Sequence, residues 1–445
     1  MTAFGFGAID ADSVIGTIVN PAGLTLAKVI PAARAAAFAD PGLGASPTWH
    51  GFAIDQAGIA FTEDISVVGD QCIRIDLDAL RVIDSGLAWA PGQFYDQDGE
   101  SVPACTRGAL RRVESRLAQA GLRALVGHEV EFLLVDPAGN RLPDRSWAPY
   151  GVAGVLEHES FVRDALSALG AAGVGVEQFH PEYGVNQFEV SLTAQSPVAA
   201  ADQLVLTRIL ISRVARRHGV RVCLSPVAFA GSVGSGAHQH FSLLRDDTTG
   251  SPVFAGGSGV HGLAATGQAA IAGVLSGLAE AELVLCGSIV SGLRLQPGNW
   301  AGAYVCWGTE NREAAVRFVG GSALNPHGAN VEVKIVDPSA NPYLASAAIL
   351  GLALDGIAQD MTLPPEITMD PHSLSEDQRS ASGVIRLSGR QSVALDALDG
   401  SRRLRAILGD AVVDAVLAVR SYEQRNFSDL APQDLSDRFR MAWSL

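Results

Sequence analysis

Between residues 122 and 135 apolar and polar side chains alternate, and a period of two predicts a strand with one face in the core. Comparable runs predict strands over 174–192, 220–229, 236–244, 315–319 and 329–336. They alternate irregularly with helical spacings near 158–171, 197–218, 265–286 and 341–358. Glu182 and Glu189 flank Tyr183-Gly184-Val185-Asn186, a turn signal, which predicts a hairpin or tight loop with the two carboxylates on facing arms. Residues 13–90 mix short alternating runs, such as 71–77, with an Ala-rich helical stretch over 31–39, the pattern of a small α+β domain. The segment 90–103 collects Pro91, Gly92, Asp96, Asp98, Gly99 and Pro103 and reads as a linker, followed by an amphipathic helix over about 106–120. The domains are therefore expected at 13–103 and 104–445. Near the C-terminus, apolar residues at 404, 407, 408, 412, 416 and 417 predict one amphipathic helix lying on the surface over 402–424.

With 445 residues, 48% hydrophobic and 18% charged, the chain can bury a large core. Its formal charge of −15 argues against a nucleic-acid partner, because no excess of Lys and Arg is available to replace phosphate counterions. Five scattered cysteines with no CxxC pair suggest reduced thiols and a cytoplasmic location. Residues 1–12 are Gly-rich and acidic, unlike a secretory signal. The apolar stretch 268–295 is interrupted by Glu280 and Glu282, so a buried helix is expected there and no membrane span.

Candidate chemistry begins on the 122–135 strand. Glu129 and Glu131, at i and i+2, point to one face and would be driven toward protonation beside Val130 and Phe132 unless a cation neutralised them. Glu182, Glu189, His238 and Glu332 complete a set of five carboxylates and one imidazole, all on predicted strands, which suits two hard cations such as Mg²⁺ or Mn²⁺. Singly, each motif has a commoner explanation: a solvated strand face for Glu129-x-Glu131, a hydrogen-bonded core residue for His238 or His240, surface charge for Arg294, Arg312 and Arg317. The glycine run 231–236 lacks the Lys-Ser/Thr of a P-loop and is no dinucleotide fingerprint.

Their order along the chain is more specific. The succession Gly127-His128-Glu129-Val130-Glu131-Phe132, His180-Pro181-Glu182 through Asn186-Gln187-Phe188-Glu189, Gly234-Ser235-Gly236-Ala237-His238-Gln239-His240, Arg294-Leu295-Gln296-Pro297-Gly298, Asn311-Arg312 and Asp337-Pro338-Ser339-Ala340-Asn341-Pro342-Tyr343 resembles the glutamine synthetase superfamily. The resemblance runs from about residue 13 to the end. It implies an α+β fold: a small N-terminal β-grasp domain and a catalytic domain whose curved antiparallel sheet forms a funnel. It further implies a homo-oligomer, a dodecamer of two six-membered rings with active sites between subunits. By the same resemblance Glu131, Glu182 and Glu189 would hold one metal and Glu129, His238 and Glu332 the second. Glu177 would lie near ATP, Arg312 and Arg317 would neutralise the γ-phosphate, Arg294 and the backbone at Gly234 would hold L-glutamate, and His240 would stand by the reacting groups. The implied reaction forms γ-glutamyl phosphate, which a nitrogen nucleophile then attacks.

The chain departs from the family pattern where the nucleophile would bind. The flap loop, Pro-Gly-Tyr-Glu in ammonia-using relatives, is Pro297-Gly298-Asn299-Trp300, and an indole can neither bear negative charge nor act as a base. The family's Asp-Gly-Ser-Ser is Asp55-Gln56-Ala57-Gly58, which keeps an acid able to take a proton. Lys334 replaces an arginine that contacts glutamate or phosphate, and Val233 an asparagine. The pattern implies a γ-glutamyl-amine ligase, as in relatives that act on polyamines, ethanolamine, short alkylamines or anilines. Trp300 suits a protonated aliphatic amine through a cation–π contact, or an aromatic amine through stacking. A true glutamine synthetase would need another acid in place of the flap glutamate, and a non-catalytic assembly would be expected to lose metal ligands.

Overall fold

The computed structural model describes residues 10–84, 86–143, 147–248, 250–322, 325 and 328–445. The acidic, Gly-rich start at residues 1–12 lies mostly outside them. A six-stranded sheet near the N-terminus runs in the order Thr25–Pro31, Ser13–Val19, Leu87–Tyr95, Gln71–Ile75, Leu43–Ala45, with Arg81–Asp84 also on Leu87–Tyr95. Its middle strand occupies the expected linker. Ala88, Trp89, Ala90 and Phe94 are buried, and Pro91, which has no N–H to give, accepts a hydrogen bond from the Asp76 N–H. Gly92 is a packing residue: a Cβ there would come within 2.9 Å of the Ile73 side chain. Proline and glycine thus serve close strand approach at 91–92, and the loop is confined to the Asp96–Glu100 turn.

The second sheet has nine strands and carries the site. Its path is Ile385–Arg386, Tyr304–Thr309, Ala314–Val319, Asn330–Val333, Gln239–Arg245, Leu122–Val135, Gln187–Leu192, Val176–Pro181, and Arg221–Cys223 also pairs with Leu122–Val135. Every pairing is antiparallel except Tyr304–Thr309 with Ala314–Val319. Of the expected 220–229 strand only Arg221–Cys223 forms. Tyr304–Thr309 escaped the period-two reading because all but its last residue is buried, so polar residues do not alternate along it.

One face of this sheet packs on helices. Val126, Val130, Phe132, Phe241, Val331 and Val333 join a single core with Pro197–Arg217, Ala265–Leu285 and Pro342–Ala358. Ala265–Leu285 is long and apolar enough to cross a membrane by length and composition, yet most of it is buried inside this core. Its Gly273 lies against Pro342–Ala358, where a Cβ would sit 2.3 Å from the Leu352 carbonyl oxygen. The expected surface helix over 402–424 is two core helices, Arg402–Leu408 and Asp410–Phe427, broken at Gly409 with φ of 94°. Leu404, Leu408, Val412 and Val416 are all buried in the main core.

Candidate active site

Strand register gathers the site on the sheet's other face. Along Leu122–Val135, Val130 and Phe132 point into the helical core, so Glu129 and Glu131 point away from it. Glu131 lies opposite Glu189, Glu189 opposite His180, and His240 opposite Glu332. Glu182 is not on a strand but in the turn that follows Val176–Pro181, and His238 precedes Gln239–Arg245. His238 Nδ1 is 3.1 Å from Glu129 and 3.5 Å from Glu332, and its Nε2 is 3.8 Å from Glu131.

Three groups have ligand atoms within 4.8 Å of one another: Glu129, His238 and Glu332; Glu131, Glu189 and His238; and His180, Glu182 and Glu189. The first is the set expected for one cation. The other three carboxylates are split between two groups joined through Glu189, with His180 as an addition. His180 shares the i, i+2 spacing with Glu182, a signal open to sequence reading, but only the register shows that it faces Glu189.

The two halves differ electrostatically. Burial would raise Glu129, but His240 and His238 override it and hold the carboxyl well below its ordinary range. Burial opposes charge on His240 as well, yet Glu129 and then Glu332 lift the imidazole to about 9. Glu332, fully buried, is held far down by Lys334 and the two histidines against the cost of burial. On the other side burial, and then Glu131, push Glu182 up to about 7. Glu189 rises well above the ordinary value through burial, Glu129 and Glu131. That half has more carboxylate than cation.

This donor set fits divalent cations: hard oxygens dominate and the excess charge is negative. Gly236 also leaves room, since a Cβ there would lie 2.5 Å from His238 Nε2 and 3.0 Å from Glu131 Oε1. A pH effect follows. Glu182 holds its proton in the folded chain up to about 7 against 4.5 unfolded, so without metal its contribution to stability is present below about pH 4.5 and lost as pH rises through about 7. A bound cation replaces that proton. Calorimetric Tm is therefore expected to rise more on adding Mg²⁺ or Mn²⁺ at about pH 8 than at about pH 5.5. Equal shifts at both pH values would count against cation binding here.

Only some of the other expected residues meet this cluster. Arg294 is buried, donates to the carbonyls of Lys334 and Ile335 at 3.1 Å each, and approaches His238 Nε2 at 3.3 Å. Gly234 packs under Arg294 and accepts from the Gln187 side chain through its carbonyl. Arg317 is ion-paired to Glu332 at 3.0 Å and to Glu310. Lys334 is buried, with Nζ 3.0 Å from Glu332. Arg312 is exposed on the turn between Tyr304–Thr309 and Ala314–Val319, with no ion-pair partner among the described residues. Glu177 is exposed on Val176–Pro181 and accepts from Thr193. Asp55 is not brought to this cluster: it accepts from the Ala57 and Gly58 N–H groups and from the Tyr422 hydroxyl, which hold its pKa low despite partial burial. Trp300, 48% exposed with φ of 52°, sets its ring edge-on to Tyr183, the residue after Glu182, at 5.8 Å.

A family model of the glutamine synthetase catalytic domain matches residues 103–436. The chain belongs to the glutamine synthetase family. Among its relatives, a γ-glutamylpolyamine synthetase, GlnA3, of Streptomyces coelicolor is 40% identical over 98% of this chain and 95% of that protein. A glutamine synthetase of Pyrococcus abyssi is 31% identical over 72% of this chain and 71% of its own length. A solved structure described as a novel glutamine synthase homologue superposes with a TM-score of 0.87 at 28% identity, covering 97% of this chain and 99% of that one. The protein is thus an enzyme of the glutamate–amine ligase class.

Three further residues of this glutamine synthetase-type ligase were not foreseen as site residues. Gln187, fully buried, donates to Glu131, to the Gly234 carbonyl and to Ser235, and so fixes one carboxylate. Tyr150 faces Glu182, and burial together with that carboxylate pushes its phenol up to about 12. Glu313 accepts the Trp300 N–H at 3.0 Å. None has a spacing that marks it, because each depends on contacts between loops or strands that only the fold brings together.

Proposed function

We propose that this ligase joins the γ-carboxylate of L-glutamate to a primary amine larger than ammonia, through γ-glutamyl phosphate, giving a γ-glutamylamide, ADP and phosphate. Residue 300 carries the reading: the flap position is an indole whose ring lies edge-on to that of Tyr183, the residue after Glu182. That face offers apolar contact and a cation–π surface but no proton acceptor. The name of the Streptomyces coelicolor relative, a γ-glutamylpolyamine synthetase, supports an aliphatic acceptor.

Arg294, oriented by the two backbone carbonyls it binds, would hold a glutamate carboxylate, and Arg312, free of ion pairs among the described residues, would take the γ-phosphate of ATP with Arg317. His240, whose imidazole Glu129 and Glu332 lift to about 9 when no cation is bound, would stand beside the reacting groups. Glu177 would border the nucleotide. Mg²⁺ or Mn²⁺ held by Glu129, His238 and Glu332 and by Glu131, Glu182 and Glu189 would offset the charge of the ATP phosphates. Asp55, kept ionised, is assigned as proton acceptor at a neighbouring subunit's site in a dodecamer. The same reading divides the chain into a β-grasp unit over 13–103 and a catalytic unit over 104–445, supported by the start of the family match. The test is whether an amine exceeds ammonium in kcat/KM.

A further inference from the structure

Beside Trp300 lies an open cleft of 530 Å³, lined among others by Arg312, Glu313, Met369 and Asp370. Its size suits a small organic ligand. Trp300 and Met369 expose a ring and a thioether chain there, at 48% and 53% of their surfaces. Glu313 is only 8% exposed: Oε1 accepts the Trp300 N–H, the Gly298 N–H also comes close enough to the carboxylate to lower its pKa, and Oε2 is buried without a hydrogen bond of good geometry. Leaving a buried carboxylate oxygen unpaired is costly and uncommon, and it points to a group that arrives from outside the chain.

The charges of the cleft indicate what that group is. Glu310 is already paired with Arg317, and Lys334 is engaged by Glu332. Arg312 forms no ion pair with Glu313. Asp370 is exposed and binds the His372 N–H through one oxygen. Glu313 and Asp370 are therefore two carboxylates, flanked by an aromatic and a thioether side chain, that form no ion pair among the described residues, although Arg312 lines the same cleft and Lys334 lowers the Glu313 carboxyl from a distance. We propose that Glu313, backed by Asp370, holds the second ammonium group of the acceptor amine, so that this cleft selects diamines over monoamines. The alkyl chain would lie along Met369 and Trp300, an arrangement suited to methylenes next to a cation. Burial, with Asp370 adding to it, raises the Glu313 carboxyl above its ordinary pKa, and a bound ammonium would return it to the ionised form.

This inference rests on the proposed amine-ligase activity, and one experiment separates the two. Putrescine and n-butylamine share a four-carbon chain and differ in the second ammonium group. The wild-type enzyme is expected to favour putrescine in kcat/KM, and Glu313→Gln, which keeps an oxygen for the Trp300 N–H, to lower the putrescine to n-butylamine ratio by roughly tenfold or more. A role confined to positioning Trp300 would move both amines together and leave the ratio where it was. Asp370→Asn should shift the ratio in the same direction, and it decides the matter if Glu313→Gln does not fold. A ratio unchanged in the variants, or a wild-type enzyme that prefers n-butylamine, overturns the anchor while the ligase reading stands. A wild-type enzyme that uses neither of these two amines overturns the anchor, and one that uses no organic amine at all overturns both.

Discussion

Replacing Glu332 by alanine is expected to lower kcat/KM with the best amine by roughly a hundred- to a thousandfold. Glu332 is 2% exposed, lies 3.5 Å from His238, and is the shared partner of Lys334 and Arg317 at 3.0 Å each. Its removal deletes one of the three ligands proposed for a cation and leaves two cationic side chains without their common counterion. Breaking such a buried arrangement costs about 3–5 kcal/mol, so a fall in Tm should accompany the loss of rate. Glu332→Gln keeps the shape and isolates the charge: a rate loss there, at saturating glutamate and with the fold shown intact by circular dichroism, ties the effect to the site. Unchanged activity in Glu332→Ala would remove Glu332 from the cation assignment.

Trp300→Glu should move selectivity in the opposite sense. The substitution restores a carboxylate at the flap, removes a ring that sits edge-on to Tyr183, and takes away a cation–π contact of roughly 0.5–2 kcal/mol. A positioned base contributes on the order of 10²–10⁴ in rate, so ammonium is expected to gain on the larger amine by about a hundredfold in relative kcat/KM. The comparison is internal to each enzyme preparation and therefore insensitive to partial inactivation. A ratio that does not move toward ammonium would show that Trp300 does not define the nucleophile's pocket.

Much of the carboxylate cluster was legible because strand periodicity is a local property. Glu129 and Glu131 share a face by their spacing alone, and the turn residues between Glu182 and Glu189 announced the hairpin that brings them together. The grouping of these side chains was less accessible. Glu189 shares its neighbours between two groups, and His180 enters one of them only because the hairpin register sets it opposite Glu189. Gln187, Tyr150 and Glu313 act through contacts that no sequence spacing encodes. The errors in the fold have a similar origin. Pro91 and Gly92 look like loop residues, but close packing against Ile73 and the needs of a central strand outweigh composition. Gly409 breaks what a continuous apolar spacing suggested was one helix, and neighbouring helices bury the face that would otherwise have met solvent.

The central claim, that the nucleophile is an amine and not ammonia, is tested most directly by phosphate release from ATP and L-glutamate with ammonium, ethanolamine, putrescine, isopropylamine and aniline as acceptors. At least one organic amine should exceed ammonium in kcat/KM by roughly tenfold or more, corresponding to about 1.4 kcal/mol of preferential transition-state binding. Ammonium giving the highest kcat/KM of the five would contradict the account.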